Sequence, residues 1–508
     1  MSVQSTEHMS TQWEDLLQSN LWWISPTDIG KDKKIEEYNK AKIKWDPRIR
    51  KTFDYNEDIV YSLRGPRQVG KTTLIKLQIS EFLHNKIPKW NILYYALDVE
   101  NSPRDLIDII KTYYTRTENV RNKEERCYIF LDEISSIKNW QKGIKKLWDE
   151  NYLKNCTLVV TGSHSVDVQR STEKLPGRRG LTNDVYDKIL LPMKFSEYVS
   201  LIDTDLRKII ERHFTRESRQ GIFLNILKNT IDVRFNELIT YMPKLNGYLQ
   251  QYLLTGGFPK VINEFLSKFK IEEYLYTDYF RSIIGEITSL DADEGTFKRL
   301  IKYIIEHHNY PLSYRNIQNG IDIGSSNTVE RYVNLLLKMF VLTLFYRYDT
   351  MKKEKRTDKD KKIRFHDPFL FHVLNTWIRL DQSYQISNSY VNDAEKAGLL
   401  VEGVIGDHLI RLAFYLSKKK QMFDYSDYVY YWKDEKDYEV DYVLKDENTL
   451  LPIEVKYTSK NPKKEDLQGL YSFKRRSGVE TALLLTKNDL TEGDGILRIP
   501  ISMFLLFI

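Results

Sequence analysis

The chain has 508 residues, 41% of them hydrophobic and 29% charged, and carries a net charge of +6. That length holds about three to four globular domains, and the composition excludes a fibrous or intrinsically disordered chain. So mild a charge does not by itself announce a nucleic-acid partner; only local patches can. No apolar run approaches the roughly 20 residues of a membrane span. Met1–Ser10 is polar, without the apolar stretch of a signal peptide. The two cysteines, Cys127 and Cys156, adjoin apolar runs and read as buried free thiols. A cytoplasmic chain with no membrane partner is expected.

Residues 1–50 read as a helical extension with Trp13, Trp22, Trp23 and Trp45, packed on the domain that follows. Ile59–Leu63 is an apolar strand, and it enters Gly65-Pro66-Arg67-Gln68-Val69-Gly70-Lys71-Thr72-Thr73. This is the phosphate-loop pattern. Gly65 and Gly70 let the backbone bend so that successive N–H groups face a phosphate. The next helix, with Leu74, Leu77, Ile79 and Phe82 apolar, adds its N-terminal dipole. Lys71 is expected to reach the β- and γ-phosphates, and the Thr72 hydroxyl to ligate Mg²⁺.

Ile92–Leu97 reads as a second buried strand ending at Asp98, followed by a helix over about 103–113. Tyr128-Ile129-Phe130-Leu131 then delivers Asp132 and Glu133. A continuous apolar strand ending in two acids suits a buried parallel strand at a metal site. Asp132 is expected to hold Mg²⁺ through water, and Glu133 to act as general base on the attacking water. The strand Thr157–Val160 runs into Thr161-Gly162-Ser163, and Ser163 is the expected sensor of the γ-phosphate or orienter of the water. Arg178 and Arg179, on a Gly-flanked loop, fit two readings: a transition-state cation given in cis or to a neighbouring subunit, or a solvated basic turn.

Residues 201–290 are helical and charged, with a rigid turn at Thr255-Gly256-Gly257-Phe258-Pro259. Three helices follow over 292–339, the second capped by Ser313 and the third starting at Ser325. Val341–Tyr348 alternates as a strand. Met351–Arg364 carries Lys352, Lys353, Lys355, Arg356, Lys359, Lys361, Lys362 and Arg364. This order looks like a winged helix, with a third helix for a DNA groove and a hairpin that either touches phosphates or is simply solvated.

The last segment holds a second candidate site. A helix over about 393–416 has Ile405, Leu409, Leu412 and Leu416 on its apolar face, with Glu402 on the same face. A carboxylate there must be paired or metal-bound. In two hairpins, Glu439-Val440-Asp441 returns as Ile453-Glu454-Val455-Lys456. A turn over 446–449 sets Asp441 opposite Glu454 and Glu439 opposite Lys456. Two readings stay open: a carboxylate site for Mg²⁺ or Mn²⁺ in which Lys456 positions a water, or a cross-strand salt-bridge ladder.

Taken in order, Gly-Pro-Arg-Gln-Val-Gly-Lys-Thr-Thr, Leu-Asp-Glu-Ile, Thr-Gly-Ser, Gly-Arg-Arg, Gly-Gly-Phe-Pro and Glu-Val-Asp…Ile-Glu-Val-Lys resemble the archaeal-type P-loop ATPases of the AAA+/STAND neighbourhood. The resemblance covers about residues 55–508. It implies an α/β fold: an extension (1–50), a P-loop ATPase core (51–200), a helical lid (201–290), a winged helix (291–365) and a C-terminal domain similar to the PD-(D/E)xK nucleases (366–508). It implies ATP as the nucleotide, Arg178 as the arginine finger, and Glu402, Asp441, Glu454 and Lys456 at the nuclease positions. The expected function is ATP binding and hydrolysis by a DNA-associated protein, with homo-oligomers possible. The alternatives are a nucleotide-dependent scaffold with an inactive nuclease-like domain, and a remodelling ATPase without nucleic acid.

Overall fold

The computed structural model describes residues 12–162, 185–289, 293–308, 310–379, 382–418, 420–446, 449–458, 460 and 462–508. These fall into two compact units, 1–191 and 192–508. Among the described residues, no helix is long and apolar enough to cross a membrane.

The first unit is built on five strands: β1 (Ile59–Arg64), β2 (Ile92–Ala96), β3 (Cys127–Asp132), β4 (Cys156–Thr161) and β5 (Asp187–Ile189). They form one parallel sheet in the order β2-β3-β4-β1-β5. β1, β3 and β4 are buried along their whole length, which is why they read as unbroken apolar runs. β4 lies between the loop-bearing β1 and the acid-bearing β3, so the polar end of β4 opens onto both. β5 is tied to β1 by Arg64, whose guanidinium donates to Asp187 at 2.7 and 2.5 Å.

The N-terminal extension covers the open edge at β2. The Asn20 side chain pairs with Tyr94 as a strand residue would, donating to its carbonyl at 2.9 Å and accepting its N–H at 2.8 Å. The Trp22 and Trp23 indoles both donate to the Ile92 carbonyl. An edge strand with unpaired backbone groups is thereby closed. The helix α1 (Lys33–Lys40) follows, and Asp32 at its N-cap pairs with buried Lys76 at 3.0 Å.

The second unit begins with helices, among them Phe195–Ile202, Met242–Thr255 and Glu273–Ser289. Then come α2 (Glu294–His307), α3 (Tyr314–Ile321) and α4 (Ser326–Lys338), with Ser313 capping α3 as expected and Ser325 capping α4. Strands β6 (Leu342–Asp349) and β7 (Glu354–Phe365) form a hairpin, and Leu312 bridges to Lys361. The remaining strands are β8 (Val429–Lys433), β9 (Glu439–Asp446), β10 (Thr449–Lys456), β11 (Ala482–Thr486), β12 (Thr491–Gly493) and β13 (Ile496–Pro500). All eight form one sheet in the order β12-β13-β11-β10-β9-β8-β6-β7.

This sheet differs from the expectation of a hairpin at 291–365 separate from a domain at 366–508. Arg347 of β6 pairs with Tyr431 of β8, so the hairpin extends the C-terminal sheet. The sequence hides this because the pairing is non-local and lies at the edge of β8. The helix α5 (Ala394–Leu416) and a later helix, α6 (Gln468–Ser477), pack against β9.

Candidate functional site

The phosphate loop joins β1 to α-helix Lys71–His84. Gly70 has φ 109° and caps that helix, a conformation that favours glycine. A Cβ on Gly65 would lie 2.1 Å from the Leu190 carbonyl oxygen, so only glycine fits where the loop leaves the sheet. The first turn of the helix leaves N–H groups without intrahelical acceptors. Lys71, only 6% exposed, turns back into the loop and donates to the Gly65 and Pro66 carbonyls at 2.9 and 3.1 Å.

Asp132, at the end of β3, is buried and gathers three hydroxyls. Thr72 Oγ1 donates to Oδ2 at 2.6 Å, Tyr94 OH donates to Oδ2 at 3.1 Å, and Thr161 Oγ1 donates to Oδ1. Burial, reinforced by Asp132, raises the Tyr94 phenol, so it remains a donor. Glu133 follows with φ 53°, and its N–H donates to Thr161 Oγ1 at 3.2 Å. Thr161 thus holds the acid strand through two bonds. A buried carboxylate beside the loop threonine, under a helix N-terminus and next to a loop ammonium, fits a nucleotide phosphate with a hard divalent cation.

Gly65 to Thr73, Asp132 and Glu133 are therefore brought together. Ser163, Arg178 and Arg179 lie outside the described residues. Thr161 and Tyr94 were missed by sequence reasoning. Thr161 is the last residue of β4, and a polar residue there, after an apolar run, was a usable signal; Tyr94 sits mid-strand and gave none.

The second cluster is also assembled. β10 runs antiparallel to β9 with Ile453 opposite Tyr442. Continued beyond the paired stretch, this register puts Glu454 opposite Asp441, the arrangement that the turn length predicts. Lys456 pairs with Glu454 at 2.7 Å, and Asp441 Oδ2 accepts the Val455 N–H at 2.9 Å. Glu402 of α5 accepts from Arg364 at 2.5 Å. Lys362 enters from β7: its ammonium lies 2.7 Å from Asp441, 2.7 Å from Glu439 and 3.9 Å from Glu402.

Electrostatics follow from that packing. Burial alone would raise the Asp441 carboxyl, but Lys362 and Lys456 outweigh it and hold it below the usual range. Burial, reinforced by Asp441, pushes the Glu454 carboxyl well up. Glu454 Oε2 is buried without a hydrogen-bond donor. Burial would lower the Lys362 ammonium, yet Asp441, Glu402 and Glu439 together raise it. Among the described residues, no three or more His, Cys, Asp and Glu are arranged to hold a metal ion. Lys362 and Arg364 belong to the run read as either phosphate-touching or solvated; they are neither, being 1% and 2% exposed on their side chains and facing these acids. Tyr346 pairs with Lys361 and Arg347 with Arg356, so the register of β7 against β6 shifts there, and beyond the shift Lys362 and Arg364 sit among the acids.

Residues 57–199 match the AAA domain family. Residues 246–383 and 397–504 match two further families, described as domains of unknown function DUF8612 and DUF4143. The chain is similar to the uncharacterized protein MJ1637 of Methanocaldococcus jannaschii, 26% identical over 344 residues, or 65% of this chain and 66% of that one. The match thus spans just under two thirds of that relative. A second protein of the same organism, MJ1544, is 22% identical over 79% of this chain and 75% of its own. Among solved structures, the Walker-type ATPase PABY2304 of Pyrococcus abyssi is similar at 15% identity and a TM-score of 0.37, covering 68% of this chain and 95% of that one. The ORC1 protein of Aeropyrum pernix in complex with DNA is similar at 11% identity and a TM-score of 0.30, covering 64% and 87%. The AAA match falls on the segment that carries Lys71, Thr72, Asp132 and Glu133, and residues 57–199 are a P-loop ATPase domain of the AAA type.

Proposed function

We propose that this chain is a DNA-associated ATPase in which nucleotide state controls the second unit. The hydrolytic half rests on one observation: Thr72, Tyr94 and Thr161 all donate to buried Asp132, beside Lys71 and Glu133. Lys71 would leave its loop carbonyls for the β- and γ-phosphates. Thr72 and Asp132 would hold Mg²⁺, which supplies charge neutralisation at the transferring phosphoryl group. Glu133 would take the proton of the attacking water, and Thr161 would fix the Glu133 backbone while Ser163 or Arg178 serves the γ-phosphate. Arg178 acting in trans would require a homo-oligomer.

DNA association rests on the order α2, α3, α4, β6, β7 with the Leu312–Lys361 bridge, an arrangement in keeping with a winged helix. Of the basic hairpin, Lys352 and Lys353 are exposed and available to phosphates, while Lys359 is exposed but lies 3.9 Å from Asp358. Lys355 and Arg356 are already paired with Asp427, Asp349 and Asp358. A second reading keeps the ATPase and makes the C-terminal domain a scaffold that cuts nothing; the buried Lys362 on Asp441 favours it.

The test is ATP turnover with and without duplex, single-stranded and branched DNA. Lys71→Ala is expected to abolish Mg-ATP turnover, and Glu133→Gln to bind ATP without hydrolysing it. Turnover unchanged in purified Lys71→Ala would sink the assignment. DNA binding should weaken steeply with salt, since phosphate contacts release counterions; no binding at any salt leaves an ATPase without nucleic acid. Metal-dependent cleavage lost in Asp441→Ala would reject the scaffold reading.

A further inference from the structure

The cluster around Asp441 has the acids of a metal site and a different cation inside it. Hard divalent ions take six to eight, or six, oxygen ligands from converging carboxylates and waters. Here Asp441, Glu439 and Glu402 converge, with Glu454 alongside, but the centre is held by the Lys362 ammonium at 2.7, 2.7 and 3.9 Å. An ammonium has three N–H donors and no acceptor, and three carboxylates face it. Three further acid oxygens are engaged, while Glu454 Oε2 is left without a donor. Asp441 Oδ2 takes the Val455 N–H, Glu402 takes Arg364, and Glu454 Oε1 takes Lys456. Three cations thus oppose four carboxylates within the cluster, so a further dication would have to displace a buried ammonium of the same sign.

The source of Lys362 gives the arrangement its meaning. It belongs to β7, in the hairpin on the far edge of the sheet, while its partners lie on β9 and α5. Arg364, two residues on and on the same face, binds Glu402. Both side chains are almost wholly buried, at 1% and 2% exposure. Two cations of one strand therefore pin the hairpin to the carboxylates of two other elements, and removing either partner of such a buried pair is strongly destabilising.

We propose that Lys362 is the resident cation of this site: it occupies the position between Asp441, Glu439 and Glu402 that a divalent metal would need, and makes the C-terminal domain a metal-independent latch for the β6–β7 hairpin. The proposal stands apart from the ATPase reading, because no residue of the phosphate-loop site takes part. The experiment counts Mn²⁺ bound to the full chain without nucleotide, by the loss of the free-ion paramagnetic resonance signal, and follows the thermal midpoint with Mn²⁺. Wild type and Asp441→Asn should bind the same number of ions. Lys362→Met should gain one site, with affinity at least tenfold above wild-type background, and a Mn²⁺-dependent rise in midpoint. Lys362→Met/Asp441→Asn should lose both. A Mn²⁺ site present in wild type and absent in Asp441→Asn overturns the proposal, as does a folded Lys362→Met that gains no site. Should Lys362→Met not fold even with Mn²⁺, the wild-type and Asp441→Asn comparison decides. ATP turnover, measured in parallel, fails or survives independently.

Discussion

Thr161→Val removes one hydroxyl from the centre of the ATPase site and leaves shape and volume nearly unchanged. That hydroxyl donates to Asp132 Oδ1 and accepts the Glu133 N–H at 3.2 Å, in a position with no exposed surface. A hydrogen bond to a charged group contributes about 1.5–3 kcal/mol, and a buried N–H left unpaired costs about 1–3 kcal/mol more. Asp132 keeps its bonds from Thr72 and Tyr94, so nucleotide binding should survive while the Asp132–Glu133 pair loses its alignment. With each 1.36 kcal/mol of barrier worth tenfold in rate, turnover should fall about 10- to 100-fold. Thr161→Ser, which keeps the hydroxyl, should stay within about threefold by the same scale. The assay is steady-state phosphate release at saturating ATP over a Mg²⁺ series, with nucleotide affinity measured separately. Turnover of Thr161→Val within twofold of wild type would refute the role given to this hydroxyl, as would equal losses in both variants.

Gly65→Ala should weaken nucleotide binding by at least about tenfold, because the new methyl meets the Leu190 carbonyl oxygen at 2.1 Å and the loop must move; a fluorescent-nucleotide titration with unchanged affinity would contradict this. Asp32→Ala should destabilise the first unit by about 3–5 kcal/mol, since it strands the Lys76 ammonium, 4% exposed, whereas Lys76→Met should cost far less. Equal thermal shifts for the two would show that the ion pair is not what matters. The second unit should lose stability as pH falls. Burial lowers His308 and His372 to about 4 and His408 to about 3. The unfolded chain takes up protons near 6.5 that the fold refuses, so stability is intact above that pH and drains away down to about 4, by on the order of 3 kcal/mol per histidine. His408, which accepts the Phe195 N–H at 3.1 Å, is the one to replace with Gln; a denaturation midpoint flat from pH 7 to 5 in wild type would rule the mechanism out.

Local pattern was enough to read the phosphate loop and its strand, the acid-ending β3, the helix capped by Ser313, and the strand register that leads to Asp441 and Glu454. Each of these is set by neighbours in sequence: a glycine that must bend, an apolar run that must be buried on both faces, a cap three residues from its N–H, a turn of fixed length. The N-terminal tryptophans were legible as packing residues, but not as the seal on the β2 edge, because Asn20 meets Tyr94 across 74 residues.

What the chain order left open, only the tertiary structure decided. Thr161 earns its place because β4 lies between β1 and β3, a sheet order that no single strand records. The basic run over 351–364 reads as a phosphate-binding surface when charge alone is counted. The pairing of β7 with β6 and of β6 with β8 brings Lys362 and Arg364 onto acids far away in sequence. Sequence shows which charges exist; strand pairing determines which of them meet, and a buried cation is spent on the carboxylate that compensates its lost water.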